Sequence, residues 1–171
     1  AKIIFYIAIS TAYLLVVFIL GITMNSNKYA VDYSAKFISP CLQHLFGTDF
    51  MGRDMFWRCI KGLSNSILIG ILASIVSSFI ALVFGVSCAI IGGKYDKLIN
   101  WCVDLCMGIP HLILLILISF MLGRGTVGVT VAVAVTHWPA LTRLVRAEVL
   151  QVRSSQYVQA AYKMGKNKFE V

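Results

Sequence analysis

Long apolar stretches separated by polar segments make up most of the chain. The hydrocarbon core of a bilayer is about 30 Å thick, so a helix that crosses it needs roughly 20 consecutive apolar residues. The pattern predicts four membrane-spanning helices, near residues 3–23, 63–92, 99–122 and 127–141. The fourth stretch is short, because Arg143 follows it closely. The predicted fold is therefore an all-α, polytopic transmembrane helix bundle forming one domain, residues 1–171.

Two polar segments interrupt this pattern. Residues 24–62 are too long for a tight hairpin and too polar to enter a membrane, so they predict a loop outside it. Residues 142–171 begin with apolar positions at helical spacing, which lets one side continue the bundle while the arginines stay in solvent. Further along, Ser154 or Ser155 can cap a short helix, and Gly165 can end it in the left-handed conformation.

The short helix "YVQAAYKMG" predicts a contact with another molecule. A helix of about ten residues is marginal in isolation and needs a partner surface to hold it. The small side chains of Ala160 and Ala161 let a partner's backbone approach closely. A helix that lies on anionic lipid typically has a wider apolar face with Trp or Phe anchors. The small residues therefore favour a protein partner.

Composition supports a membrane protein. Of 171 residues, 59% are hydrophobic and 13% are charged, and the mean hydropathy is +0.85, which is more apolar than a soluble core requires. The net charge of +8 is compatible with a nucleic-acid surface, but the basic residues lie in gaps between apolar runs and form no stripe. No nucleic-acid partner is expected. Because the sequence opens on Ala1 and stops at Val171 within a helical pattern, we expect it to be part of a longer protein.

The positive-inside rule, which counts Lys and Arg near the ends of spans, predicts an orientation. With a cytoplasmic N-terminus, nine basic residues lie inside, namely Lys2, Lys94, Lys97, Arg143, Arg146, Arg153, Lys163, Lys166 and Lys168. Six lie outside, namely Lys28, Lys36, Arg53, Arg58, Lys61 and Arg124. The rule therefore favours a cytoplasmic N-terminus, an outer loop at 24–62 and a cytoplasmic loop at 142–171.

Common catalytic motifs are absent from the sequence. It has no GxxxxGK[ST] phosphate loop, no HExxH, no GxSxG and no His/Cys cluster at metal-ligand spacing. We therefore expect no enzymatic activity, bound metal or cofactor in this chain. Its three scattered histidines are more typical of hydrogen-bonded packing than of metal sites. Cys41 and Cys59 share the predicted outer loop, and their pairing stays open because spacing alone does not establish a disulfide.

Two residues of the third predicted span carry possible function. Asp104 is the only acidic residue inside the four predicted spans. A charge at membrane depth is costly, so this side chain should face protein or water. Its place near the cytoplasmic end favours capping or pairing over proton relay. Pro110 removes a backbone hydrogen bond and should kink the span. Such a break can line a pathway or only shape the bundle, and the sequence leaves both open.

The segment "GTDFMGRD" predicts a turn followed by a helix cap. Its residue types are those of tight turns and N-caps, with Asp49 or Asp54 accepting backbone N–H groups and Arg53 pairing locally. The residues singled out in this outer-loop motif are Gly47, Thr48, Asp49, Gly52, Arg53 and Asp54.

Three segments together resemble one family, the inner-membrane permease subunits of ABC importers for dipeptides, oligopeptides and nickel. They are "GTDFMGRDMFWR" (47–58), "IIGGKYDKLINWCVDLCMGIP" (90–110) and "THWPALTRLVRAEVLQVRSSQYVQAAYKMG" (136–165). The resemblance implies a type I importer permease with six spans in the full protein. It also implies a second permease subunit, two ATPase subunits that bind ATP and Mg²⁺, and an extracytoplasmic substrate-binding protein near the outer-loop motif.

The same resemblance gives the short terminal helix a role. The so-called EAA motif of the family falls on Gln159, Ala160, Ala161 and Gly165, just after Tyr157, with Gln159 where glutamate is usual. It implies two short helices that meet near Gly165 and dock into a groove on the ATPase. ATP-driven closure of the ATPases would then produce alternating access. Any salt bridge of the usual glutamate is in doubt here.

Other functions remain as alternatives. Within the family, the substrate can be a peptide, or nickel or a nickel chelate, and the sequence has no carboxylate or thiolate ring that decides. A membrane scaffold without transport activity is the rival from another class. A membrane-embedded enzyme would need several intramembrane polar groups at one site, which the sequence does not provide.

Overall fold

The computed structural model describes residues 2–123 and 125–166, which are mainly helical. The helices are α1 (Lys2–Thr23), α2 (Met55–Ile91), α3 (Gly93–Gly108), α4 (His111–Met121), α5 (Thr126–Ser154) and α6 (Gln156–Lys163). Two short 3₁₀ turns, Ser26–Tyr29 and Tyr33–Ala35, lie between α1 and α2. Among the described residues, the one β-type pairing is an isolated bridge between Thr48 and Asp54. The all-α prediction is confirmed.

Within residues 2–123 and 125–166, two helices are long and apolar enough to cross a membrane, α1 and α2, judged by length and composition. The pair α3 and α4 adds a third candidate if it forms one broken span. Helix α1 matches the span predicted at 3–23, whereas α2 covers the span predicted at 63–92 up to Ile91 and begins earlier, at Met55. The stretch 127–141 lies within α5, which is not among these candidates. Its assignment as a fourth span stays a prediction.

The chain divides into two compact units, Ala1–Gly70 and Ile71–Val171. In the first unit, α1 approaches the start of α2 through small residues. A Cβ atom placed on Gly21 would lie 2.2 Å from Cβ of Ser64, and the Ser64 hydroxyl donates to the Phe18 carbonyl at 3.2 Å. The Lys61 ammonium donates to the Gly21 carbonyl at 2.9 Å. Small residues allow this close approach between apolar helices.

The second unit packs the later part of α2 against α5, again through small side chains. The Ser77 hydroxyl is buried and donates to the Ala134 carbonyl at 2.8 Å. A Cβ atom on Gly85 would lie 2.8 Å from Cβ of Val145, so glycine is needed for this contact. The ring centroids of Phe84 and Trp138 lie 5.6 Å apart. The buried residues of this unit include Ala73, Ala81, Cys88, Ala89, Val103, Ala132, Ala134 and Pro139.

The third predicted span is broken rather than kinked. Helix α3 ends at Gly108 and α4 begins at His111, and their axes differ by 91°. Pro110 stands at the N-cap of α4, and Ile109 before it has an extended backbone with φ −90° and ψ 133°. A residue that precedes proline is pushed out of the helical region, which explains why α3 stops there.

Helix α5 continues through Leu141 to Ser154 and accommodates Pro139 in its interior. The first part of the predicted cytoplasmic loop is therefore an extension of this helix. Residues 167–171 of the predicted loop, which include Lys168, lie outside the described residues, as does Arg124.

Candidate functional site

The outer-loop motif folds into a turn held by Asp49. Carboxylate oxygen Oδ1 of Asp49 accepts hydrogen bonds from the backbone N–H groups of Met51 at 2.8 Å and Arg53 at 3.0 Å. The other oxygen, Oδ2, accepts from Nε of Arg53 and from Nη1 of Arg58, both at 2.8 Å. One carboxylate thus joins the turn to two guanidinium groups and fixes its shape.

These donors change the acidity of Asp49. Its partial burial acts to raise the pKa, but the hydrogen bonds from the Arg53 side chain and from the backbone N–H groups of Arg53 and Met51 outweigh it. Together with the positive charge of Arg53, they lower the pKa of Asp49 from 3.8 to about 2. The carboxylate is therefore ionised over the whole physiological range.

Asp54 caps the following helix. Its Oδ1 accepts from the N–H groups of Phe56 at 2.9 Å and Trp57 at 3.2 Å, the first free donors of α2. Its Oδ2 lies 2.8 Å from Nδ1 of His44. Asp54 is buried, so it joins the loop to α2 instead of facing solvent.

The two glycines of the motif are required by backbone geometry. Gly47 and Gly52 have φ values of +70° and +74°, which side chains of L residues rarely adopt. A Cβ atom on Gly52 would lie 1.6 Å from the Asp32 carbonyl oxygen. Thr48 completes the turn, because its hydroxyl donates to the Ala35 carbonyl and accepts from the Ile38 N–H at 2.9 Å. The structure thus brings the outer-loop motif together as one rigid turn.

In the second unit, the terminal helix α6 has defined ends. It follows directly from α5 through Ser155, whose carbonyl accepts from the Gln159 N–H at 3.1 Å. The Ser155 hydroxyl donates to the Val152 carbonyl at 2.6 Å, so it satisfies the end of α5 instead of donors of α6. Gly165 has φ +87°, and Lys166 N–H donates to the Ala161 carbonyl at 3.2 Å. This is the bond of a Schellman ending.

Helix α6 has one face against the fold and one face free of it. Val158 is 4% exposed and anchors the inner face, and Ala161 is half-buried. Tyr157 is 67% exposed, and Ala160 and Gln159 are exposed as well. The Gln159 amide donates to the Ser154 carbonyl at 3.1 Å, so it holds the junction of α5 and α6.

The arginines of α5 bind neighbouring helices, while Arg143 and Arg153 stay exposed as expected and only Arg146 is half-buried. Arg146 meets Asp96 of α3 through two bonds of 2.6 Å, from Nε to Oδ1 and from Nη2 to Oδ2. Arg143 pairs with Asp104 of α3, which gives that acidic residue its partner. Arg153 donates to the Ala89 carbonyl near the end of α2. The sequence did not predict these contacts, because helical spacing does not identify partners on other helices.

A cavity of about 260 Å³ lies where α3 breaks into α4. Residues from both sides of the break and from α5 line it, namely Cys106, Met107, Ile109, Pro110, His111, Leu114, Thr136, His137 and Ala140. The rings of His111 and His137 contact edge to face, with centroids 4.9 Å apart. Pro110 thus lines a cavity, and Asp104 is not among its lining residues. In the described part of the chain, no three His, Cys, Asp or Glu residues form a group that could hold a metal ion.

The cysteines of the outer loop do not pair. Cys41 and Cys59 are both exposed and are free thiols. The other three cysteines are also free thiols. All five lie within the residues that the structure describes. The outer loop is therefore held by the carboxylate contacts of Asp49 and Asp54.

Comparison with known proteins gives consistent matches. Residues 81–171 match the family model described as "Binding-protein-dependent transport system inner membrane component". The dipeptide transport system permease protein DppC of Bacillus subtilis is 32% identical over 134 residues, which are 78% of this chain and 42% of that protein. The oligopeptide transport system permease protein OppC of the same organism is 33% identical over 126 residues, 74% of this chain and 41% of OppC.

A third relative is the probable D,D-dipeptide transport system permease protein DdpC of Escherichia coli. It is 33% identical over 142 residues, which are 83% of this chain and 48% of DdpC. The chain therefore spans less than half the length of each of these three curated relatives.

Proposed function

Because the chain belongs to the family of binding-protein-dependent transport system inner membrane components, we propose that it forms part of the membrane pathway of an ATP-driven peptide importer. The three relatives are named for dipeptide, D,D-dipeptide and oligopeptide transport, which supports a peptide as the substrate. In this proposal the chain carries substrate across the inner membrane and hydrolyses nothing itself.

The segment formed by α6 and the end of α5 docks onto a cytoplasmic ATPase subunit. The observation that carries this proposal is the two-sided character of α6. Val158 fixes the helix to its own protein, while Tyr157 and the small Ala160 face away from it. A small residue on the outer face lets a partner approach closely, and the Gly165 ending fixes the length of the docking helix.

The remaining partners are proposed from the family to which the chain belongs. A second permease subunit completes the pathway, and two ATPase subunits supply ATP and Mg²⁺ binding. The N-terminus and the coupling segment face the cytoplasm, as the distribution of basic residues favours. The outer-loop turn faces the other side, where a substrate-binding protein delivers the peptide. Its rigid backbone, fixed by Asp49 and Asp54, suits a constant docking surface.

Replacing Ala160 with tryptophan tests the docking surface. Ala160 is exposed on α6, so the substitution should leave the packing of Val158 intact while it blocks a close approach by the ATPase. We expect the amount of ATPase subunit that co-purifies with the membrane complex to fall by about tenfold or more, which corresponds to the loss of roughly 1.4 kcal/mol of binding free energy.

Ala160→Ser is the matched control, because serine is also small and should retain the ATPase. Circular dichroism and the yield of the permease check that both variants fold. Retention of a normal amount of ATPase by A160W would contradict docking through this face of α6.

A further inference from the structure

Helix α5 holds two neighbouring helices through arginines on one of its faces. Arg146 and Arg153 are seven residues apart, so they point to the same side of the helix. Arg146 binds the carboxylate of Asp96 near the start of α3, and Arg153 binds the Ala89 carbonyl near the end of α2. The two contacts lie on either side of the junction between α2 and α3.

That junction is formed by two glycines in the left-handed region. Gly92 and Gly93 have φ values of +65° and +60°, and a Cβ atom added to either would meet nothing within 4 Å. The Gly92 N–H donates to the Cys88 carbonyl at 3.1 Å, and the Gly92 carbonyl accepts from the Asp96 N–H at 3.3 Å, so backbone hydrogen bonds rather than side-chain packing define this junction. The Asp96 side chain then helps to orient α3, because it binds Arg146 of α5 and also interacts with Cys88 of α2.

The pair between Arg146 and Asp96 is suited to transmit movement. The guanidinium fork meets both carboxylate oxygens at 2.6 Å, a bidentate geometry that fixes orientation as well as distance. Their side chains are only 31% and 18% exposed, so water competes weakly. The Asn100 amide donates to Asp96 Oδ1 at 2.7 Å and holds the carboxylate in place.

A second pair on the same two helices provides a comparison. Arg143 and Asp104 also join α5 to α3, but their side chains are 44% and 64% exposed. Exposed pairs contribute little, because solvent screens them and the long side chains remain free to move. The burial and the two-pronged geometry of Asp96 and Arg146 therefore distinguish this pair from an ordinary surface ion pair.

We propose that Asp96 and Arg146 are positioning residues that pass movement of the coupling segment to α3 and so to the break between α3 and α4. The inference rests on the proposed function, in which α6 docks onto an ATPase. Helix α5 continues into α6 through Ser155, so displacement of α6 moves the arginines of α5. Asp96 then carries α3 with them, because the open space beside Gly92 and Gly93 leaves room for α3 to turn. The cavity at the far end of α3 changes shape as a result.

The test separates coupling from stability by measuring two rates in the same vesicles. The complete importer, with its partner permease, ATPase subunits and binding protein, is reconstituted, and ATP hydrolysis and uptake of a labelled dipeptide are recorded. For Asp96→Asn we expect ATPase co-purification and hydrolysis close to wild type, but about tenfold less dipeptide transported per ATP. A purely structural role would lower both rates together and leave their ratio unchanged.

Three further variants serve as controls for the effect of D96N. Asp104→Asn removes the exposed pair and should change the ratio by less than about twofold. Arg146→Lys keeps the charge but loses the fork, so the ratio should fall less than in D96N. The exchange D96R/R146D restores opposite charges, and the Asn100 amide can rotate to accept from the new guanidinium. This double variant should transport an amount of dipeptide per ATP within about threefold of the wild-type amount.

The outcomes distinguish this inference from the proposed function. A wild-type ratio in D96N, or equal losses in D96N and D104N, would overturn the positioning role while leaving the importer intact. If D96N fails to assemble, the amount of dipeptide transported per ATP by R146K serves as the test. An amount equal to that of wild type would overturn the positioning role. Absence of ATP-dependent dipeptide uptake by the wild-type complex would contradict the proposed function itself.

Discussion

At the scale of single residues, the outer turn depends on one carboxylate. Asp49 receives bonds from two backbone N–H groups and two arginine side chains, and the bonds from Met51 and Arg53 lower its pKa to about 2. A group whose pKa is lower in the folded state stabilises the fold above its unfolded pKa and loses that effect as pH falls through the folded value. The stabilisation by Asp49 is therefore complete above about pH 4 and disappears towards pH 2.

Asp49→Asn tests this effect. The variant should unfold at a lower temperature than wild type at neutral pH, because the ionised acceptor of four donors is lost. The difference between the two unfolding temperatures, followed in detergent by fluorescence, should be constant above about pH 4 and shrink as the pH approaches 2. A difference that stays the same across this range would show that the charge of Asp49 does not stabilise the turn.

The sequence predicted the turn and cap but not the contacts that reach across the fold. Asp54 follows a glycine-rich turn and precedes an apolar run, so its role as a helix cap can be predicted from the residue types. The bond between Asp96 and Arg146 joins residues fifty positions apart. Whether such residues meet depends on helix packing, which local propensity does not encode. The same is true of the contact between His111 and His137.

At the scale of elements, small residues determine how closely helices approach. A Cβ atom on Gly21 would lie 2.2 Å from Cβ of Ser64, whereas a Cβ atom on Gly62 would meet nothing within 4 Å. Gly21→Ala should therefore force α1 and α2 apart and cost about 1–3 kcal/mol of stability, as overpacking usually does. Gly62→Ala is the control and should be neutral or slightly stabilising, because alanine favours a helix.

Thermal unfolding of the two variants in detergent measures this difference. An equal effect of both substitutions would contradict the close contact of Gly21 with Ser64.

Apolar length predicted α1 and α2 well, because a membrane requires long uninterrupted runs. It gave no sign that the third stretch is two helices at 91°, since one proline in an apolar run is compatible with either a kink or a break.

At the scale of the whole molecule, the helical fold and the comparisons agree on an inner membrane component. The chain is helical and highly apolar, and residues 81–171 match the family of binding-protein-dependent transport system inner membrane components. Sequence pattern predicted the class and the short terminal helix. It did not show that α6 is anchored by Val158 or that α5 is bound to α2 and α3 by its arginines. These contacts connect the proposed docking surface to the helices of the membrane region.

Uptake of a labelled dipeptide into vesicles that contain the complete importer tests most directly whether this chain takes part in ATP-driven peptide import. We expect accumulation that requires ATP, is retained in A160S and is lost in A160W, because only the bulky residue blocks docking of the ATPase. Uptake by A160W equal to that of wild type, or a wild-type complex that accumulates no dipeptide with ATP and all partners present, would contradict the account.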